Sequence, residues 1–182
     1  MAEKHFQSAL QRTKKFEGGW SDHPDDRGGK TKYGITEHVW YDYNNGKPPY
    51  GIEDITVSDA EEIYFHNYWK RVGCDKLSAN SRVPQRVLSE VFDCAVNQGV
   101  HRAGEFLQQA YNTLRVGDDF LVVDGIVGPK TCAFIQGFCK KSAYATALTV
   151  EIRALRRDHY KSLAAKVPSQ KKFLRGWLKR LM

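Results

Sequence analysis

The run Phe16-Glu17-Gly18-Gly19-Trp20, continued by Asp26-Arg27-Gly28-Gly29-Lys30-Thr31-Lys32-Tyr33-Gly34-Ile35-Thr36, divides the chain into two unequal parts. Before it, Phe6, Ala9, Leu10, Thr13 and Lys14 recur at helical spacing and predict a first helix over Lys4–Phe16. Gly18-Gly19 stop that helix, because glycine takes the left-handed conformation of a helix terminus without a steric penalty. Residues 20–36 are rich in Gly, Asp and Thr and lack helical periodicity. They predict a loop or short β-hairpin, with Asp26-Arg27-Gly28-Gly29 as its turn.

Downstream the pattern is helical almost throughout. Ser58-Asp59-Ala60-Glu61 has the spacing of a capping box and predicts a helix to about Arg71, with Ile63, Tyr64, Tyr68 and Trp69 apolar. Pro84 opens a helix whose Val87, Leu88, Val91, Phe92, Ala95 and Val96 form a wide apolar stripe ending near Gly99. His101–Leu114 repeats the pattern through Phe106, Leu107 and Ala110. Asp124-Gly125-Ile126-Val127-Gly128-Pro129 reads as a turn before one long helix over Lys130–Lys166, which Pro168 ends. Ser169 predicts the cap of a last helix running to Met182. The class is mainly α, with one small hairpin or irregular loop after the first helix.

The chain has 182 residues, 41% hydrophobic and 27% charged, which excludes disordered and low-complexity classes and suffices for a self-supporting core. The net charge is +7, and its placement matters more than its size. Residues 150–182 hold ten Lys and Arg against Glu151 and Asp158, a net +8, so residues 1–149 carry −1. Within that end, Phe173, Leu174, Trp177, Leu178 and Leu181 recur at helical spacing between Lys171, Lys172, Arg175, Lys179 and Arg180. This predicts a cationic amphipathic helix over residues 169–182, suited to an anionic membrane or lipopolysaccharide through Lys171–Met182, or to docking on the core by its apolar face. At about 21 Å it is too short to span a bilayer. Nucleic acid is disfavoured as a partner, because no nucleic-acid motif occurs and the charge is confined to one end.

Cys74, Cys94, Cys132 and Cys139 form no C-x-x-C pair and read as small buried thiols, so no metal or other cofactor is expected. Met1–Phe6 is not followed by an apolar run, and no stretch approaches 18 apolar residues. The expectation is synthesis and storage in a cytoplasm without a signal peptide, as a monomer.

Glu17 stands in the last turn of the predicted first helix. The negative end of the helix dipole disfavours an ionised carboxylate there, and partial burial adds to the effect. A carboxylic acid held protonated near neutral pH can protonate the leaving oxygen of a glycosidic bond. Asp26 lies nine residues later across the glycine-rich turn, with Asp22 and Asp25 in the same loop as competitors for a second carboxylate role. Thr31 follows five residues on.

These residues, Glu17-Gly18-Gly19-Trp20, Asp26, Gly28-Gly29, Thr31 and Tyr33-Gly34-Ile35-Thr36, resemble the signature of glycoside hydrolase family 108. The resemblance extends through Tyr64 with Tyr68-Trp69, Phe92-Asp93 with Ala95-Val96-Asn97 and Gly99, Leu107-Gln108, Val123–Pro129, and Arg153, Tyr160, Phe173, Gly176-Trp177 and Arg180, covering roughly residues 5–180. Arg27 replaces a common Pro and Trp20 a common Tyr, and Thr31 stands one residue nearer Asp26 than is usual. The resemblance implies a lysozyme-like helical domain over residues 1–120, a helical peptidoglycan-binding region over 121–168, and the cationic segment 169–182.

It implies a phage-endolysin N-acetylmuramidase cutting the β-1,4 bond between N-acetylmuramic acid and N-acetylglucosamine, released to act on the periplasmic wall. Glu17 is then the general acid, Asp26 the base or electrostatic stabiliser, and Thr31 the holder of water or a sugar oxygen. Tyr33 and Thr36 are candidates for a sugar subsite or for hairpin packing. Asp93 and Asn97, at i and i+4 on one helix face, are candidates either for hydrogen bonds to the sugar or for a buried polar pair that sets helix packing. Asp124 and Gly125 shape a turn. Two other functions remain open at this point: a lytic transglycosylase on the same bond, and a non-enzymatic cationic membrane-active protein.

Overall fold

The computed structural model describes residues 2–14, 20, 29–80, 82–115 and 117–182. Helix α1 (Ala2–Lys14) begins two residues before the predicted start. It packs along α5 (Gln85–Gln98), burying Phe6, Ala9, Leu10 and Thr13. Phe6 sits at the centre of an aromatic cluster, edge-on to Phe65, Trp69 and Phe92 at ring distances of 5.0, 5.7 and 5.8 Å. Edge-to-face contacts of this kind add to the stabilisation from burial alone.

The hairpin is real but is built around different residues from those expected. Strands β1 (Thr31–Lys32) and β2 (Ile35–Thr36) pair antiparallel with Thr31 opposite Thr36. Tyr33 and Gly34 make the turn, both in the left-handed region at φ 52° and 77°. Two consecutive positive φ angles match the right-handed twist of the strands, which is why such turns dominate two-residue hairpins. The predicted turn at Asp26–Gly29 is therefore not the hairpin turn; Gly29 precedes β1, and residues 26–28 lie outside the described residues.

Thr36 leads directly into α2 (Glu37–Tyr43), a helix the sequence reading did not contain, and its hydroxyl accepts from the Val39 N–H as N-cap. The capping box also shifts. Thr56 caps α3 (Val57–Ile63), and Asp59 reaches back to the Thr56 N–H, in place of the predicted Ser58–Glu61 pair. Beyond α3 the chain widens into a π-helical segment, Tyr64–Lys70, before α4 (Cys74–Ser78).

Helix α5 is the axis of the fold. Of its predicted stripe Val87, Leu88, Val91, Phe92 and Ala95 are buried and Val96 is half-buried, packed against the core. Gly99, at φ 89°, turns the chain into α6 (Val100–Leu114). The predicted single helix over 130–166 is two: α7 (Pro129–Phe138) and α8 (Ser142–Lys166), separated at Cys139–Lys141. An unbroken helix of that length would run about 55 Å, well beyond the body of a small domain. The break sends α7 back against α4, while α8 lies along α5 and α6.

The last segment differs too. Pro168–Phe173 is a 3-10 turn, and only Leu174–Lys179 (α9) is α-helical, so no single amphipathic helix starts at Ser169. The segment is docked: Leu181 is 5% exposed, and Trp177 stacks on Tyr160 of α8 at 5.2 Å. The fold class is as read: mainly helical with one two-stranded sheet. Among the described residues no helix is long and apolar enough to cross a membrane.

Candidate active site

The hairpin presents three of the residues singled out from the sequence. The Thr31 hydroxyl donates to the Gly29 carbonyl at 3.2 Å, which ties the side chain back to the residues before the strand. Tyr33 occupies its left-handed turn position although bulky side chains disfavour it, and its carbonyl accepts from the Tyr64 hydroxyl at 3.1 Å. Thr36 is committed to capping α2. Glu17 and Asp26, with Asp22 and Asp25, lie outside the described residues.

Tyr64 connects the hairpin to a cleft. It is buried, and its ring meets Tyr68 at 5.7 Å. Tyr68 lines a recess of about 530 Å³ together with Tyr43 of α2, Asn67 and Arg71 of the π segment and its end, and Gln98 and Arg102 at the α5–α6 junction. The π segment matters here, because widened turns commonly re-aim side chains at functional sites. Asn67, Tyr68 and Arg71 all reach one wall. Burial raises the Tyr43 hydroxyl above the usual phenol range, reinforced by the charge of Glu62 and a hydrogen bond to it, so Tyr43 stays protonated. Aromatic faces, amides and a guanidinium around an open cleft suit a sugar chain with hydroxyl and N-acetyl groups.

Asp93 and Asn97 are placed elsewhere. Phe92 turns toward α1 and the π segment, so Asp93, one residue on, faces α8. It is 3% exposed, with Arg156 at 2.6 Å on one oxygen and Arg180 at 3.6 Å on the other. Asn97 donates to the Asp93 carbonyl at 2.7 Å. Asp93 is thus a buried carboxylate paired with α8 and the C-terminal segment, Asn97 is half-buried and bonded to the backbone of its own helix, and these contacts do not involve the hairpin residues. Sequence reasoning did not single out Tyr43, Asn67, Arg71, Gln98 or Arg102. Two of them carried a signal: Asn67 precedes Tyr68-Trp69, and Gln98 falls between Asn97 and Gly99, inside motifs already quoted.

The turn at Asp124-Gly125 is anchored by one side chain. The Gln108 amide donates to Asp124 Oδ1 at 2.8 Å and accepts from the Asp124 and Gly125 N–H groups at 3.1 and 2.9 Å. These bonds hold Asp124 below the usual carboxylate range, helped by the Ile126 N–H. Asp124 and Gly125 shape this turn, as their sequence predicts.

Comparison with known proteins follows the same division. The family model described as Glycosyl hydrolase 108 matches residues 10–99, from the end of α1 through the hairpin to Gly99. The model described as Predicted Peptidoglycan domain matches residues 79–182. No curated protein matches the chain. Among solved structures it is similar to that of Brucella abortus SagA, at 27% identity and a TM-score of 0.74, covering 98% of this chain and 90% of that one. The non-enzymatic reading is thereby set aside: the chain is an enzyme, and peptidoglycan is what it hydrolyses. It belongs to the glycosyl hydrolase 108 family, with a peptidoglycan domain forming its C-terminal half.

Proposed function

We propose that this protein is an N-acetylmuramidase that hydrolyses the β-1,4 bond between N-acetylmuramic acid and N-acetylglucosamine. Glu17 protonates the leaving oxygen, Asp26 activates water or stabilises the oxocarbenium-like transition state, and the Thr31 hydroxyl orients that water or a sugar oxygen. The observation that carries the reading is the family match across residues 10–99, which takes in Glu17, Asp26 and Thr31 together. The cleft supports it, because Tyr33, Tyr64 and Tyr68 link the hairpin to the sugar-compatible wall.

Glu17→Gln should lower the rate of turbidity loss of purified peptidoglycan by about 10²–10⁴-fold, the usual contribution of a general acid. A near wild-type rate would remove Glu17 from that role. Mass spectrometry of the products checks the chemistry: reducing muramic ends are expected, whereas ends lighter by one water identify a transglycosylase.

The phage-endolysin role belongs to the same proposal. Produced inside a bacterium, the protein should lyse it once the inner membrane is breached, and efficient lysis with that membrane intact would count against the role. The cationic end is assigned an anionic envelope surface, lipopolysaccharide or anionic lipid. In its docked state Phe173 and Met182 remain exposed beside Lys171, Lys172, Arg175 and Lys179. Replacing those four cations with Glu should abolish action on intact outer-membrane cells while purified peptidoglycan is still cleared. Unchanged action on intact cells would refute the assignment.

A further inference from the structure

Gln98 and Arg102 form part of two recesses, the cleft described above and a smaller one of about 350 Å³ that opens toward α8 and α9. Asn97, His159, Tyr160, Leu163 and Trp177 complete the second recess, and every one of these residues lies within the peptidoglycan-domain match.

Three features of this recess point to a ligand. Gln98 Oε1 accepts from Arg156 Nε at 3.0 Å and from the Cys94 thiol at 3.2 Å. Arginine has no acceptor, so the amide cannot be reversed, and its Nε2 is left buried with no acceptor among the described residues. A buried donor without a partner is rare enough in folded proteins to require an explanation.

Arg102 donates to His159 Nδ1 at 3.0 Å and forms no ion pair among the described residues. Burial holds the His159 pKa down, helped by the charges of Arg102 and Lys166. The imidazole therefore fixes the guanidinium as a neutral acceptor and leaves its charge uncancelled. Finally, Tyr160 and Trp177, which stack on each other at 5.2 Å and 23°, both line the recess.

An oriented cation, an orphan amide donor and aromatic lining residues select a carboxylate attached to an apolar or amide-bearing body. Peptidoglycan offers such groups on the peptide that hangs from the muramic acid lactyl ether, while its glycan backbone is uncharged. We propose that this recess binds the carboxylate-bearing stem peptide of peptidoglycan while the glycan strand lies in the adjoining cleft. Gln98 and Arg102 form the boundary between the two. The inference rests on the muramidase reading for the position of the glycan.

His159→Glu tests it, because the new carboxylate pairs with Arg102 and repels the ligand, whereas His159→Gln keeps a neutral acceptor. Wild-type protein titrated with muramyl dipeptide should show a shift of the Trp177 indole N–H resonance, assigned with Trp177→Phe, and chitotriose should not produce it. His159→Glu should weaken muramyl dipeptide binding about tenfold or more, as expected for loss of one charge-assisted hydrogen bond, and His159→Gln should stay within about threefold. In turnover, the ratio of KM on intact to amidase-stripped peptidoglycan should rise for His159→Glu. An unmoved Trp177 resonance, or unchanged affinity in His159→Glu, would overturn the proposal. If His159→Glu does not fold, the wild-type titration decides. Failure of the wild type to cleave either glycan would instead overturn the muramidase reading, and the titration would still judge the recess.

Discussion

The Arg156 guanidinium lies 2.6 Å from the Asp93 carboxylate, and both side chains are withdrawn from water. The same guanidinium donates to Glu90 and to the Gln98 amide oxygen. Glu90 also receives Arg12 from α1 at 3.2 Å and Arg153 from α8 at 2.8 Å, while Asp93 meets Arg180 of the C-terminal segment. Three parts of the chain, α1, α8 and the C-terminal segment, thus converge on two acidic residues one turn apart on α5. Replacing Arg156 with Leu leaves Asp93 buried without its nearer partner and Glu90 short of one. Removing one partner of a buried pair costs about 3–5 kcal/mol, so urea denaturation of Arg156→Leu should show a loss of that order. A loss below about 1 kcal/mol would mean that Arg12, Arg153 and Arg180 suffice on their own.

Gly104 on α6 is where the Asp124-Gly125 turn docks. A Cβ placed on Gly104 would lie 2.1 Å from the Gly125 carbonyl oxygen, and that backbone is held by Gln108. Gly104→Ala should therefore destabilise the fold by about 1–3 kcal/mol although alanine is the better helix former. The thermal midpoint measures it, and a rise in the midpoint would show that the turn moves aside freely.

All four cysteines are buried. Burial pushes the Cys94 thiol up to about 12 and the Cys139 thiol up to about 11, and the same cause raises Cys74 well above the ordinary thiol range. The thiolate is the reactive form, so a thiol reagent at pH 8 should modify none of them in the folded protein and all four in denaturant. Rapid modification of one thiol under native conditions would locate a site of local opening.

His159 gives stability a pH dependence of known sign. Its folded pKa is below the ordinary value of 6.5, through burial and the cations Arg102 and Lys166. The unfolded chain then binds the proton first. The contribution is complete above pH 6.5, declines as pH falls toward the folded pKa, and is flat below it. Denaturation midpoints measured across that interval should fall with acidity in the wild type and fall less steeply in His159→Gln. Parallel curves would show that His159 is not the group responsible.

Local residue patterns were enough for the helices that carry strong periodicity. The α5 stripe from Val87 to Ala95, the Gly99 break, the α6 repeat and the Asp124-Gly125 turn were all legible, because each depends on spacing or on one conformationally special residue. The family signature around Glu17 was legible for the same reason: it is a matter of residue types in order. Other features needed the assembled fold. Tyr33 takes the hairpin turn, a position no local preference of tyrosine suggests, and Tyr64 bonds its carbonyl there. Cys139–Lys141 break an otherwise helical run because α7 must fold back on α4. Asp93 and Asn97 looked equally suited to a sugar or to the core, and only the position of Arg156, 63 residues along the chain from Asp93, shows the carboxylate turned inward. Periodicity records which face of a helix is apolar, but which partner a buried charge meets depends on contacts between residues far apart in the chain, and those exist only once the helices have packed.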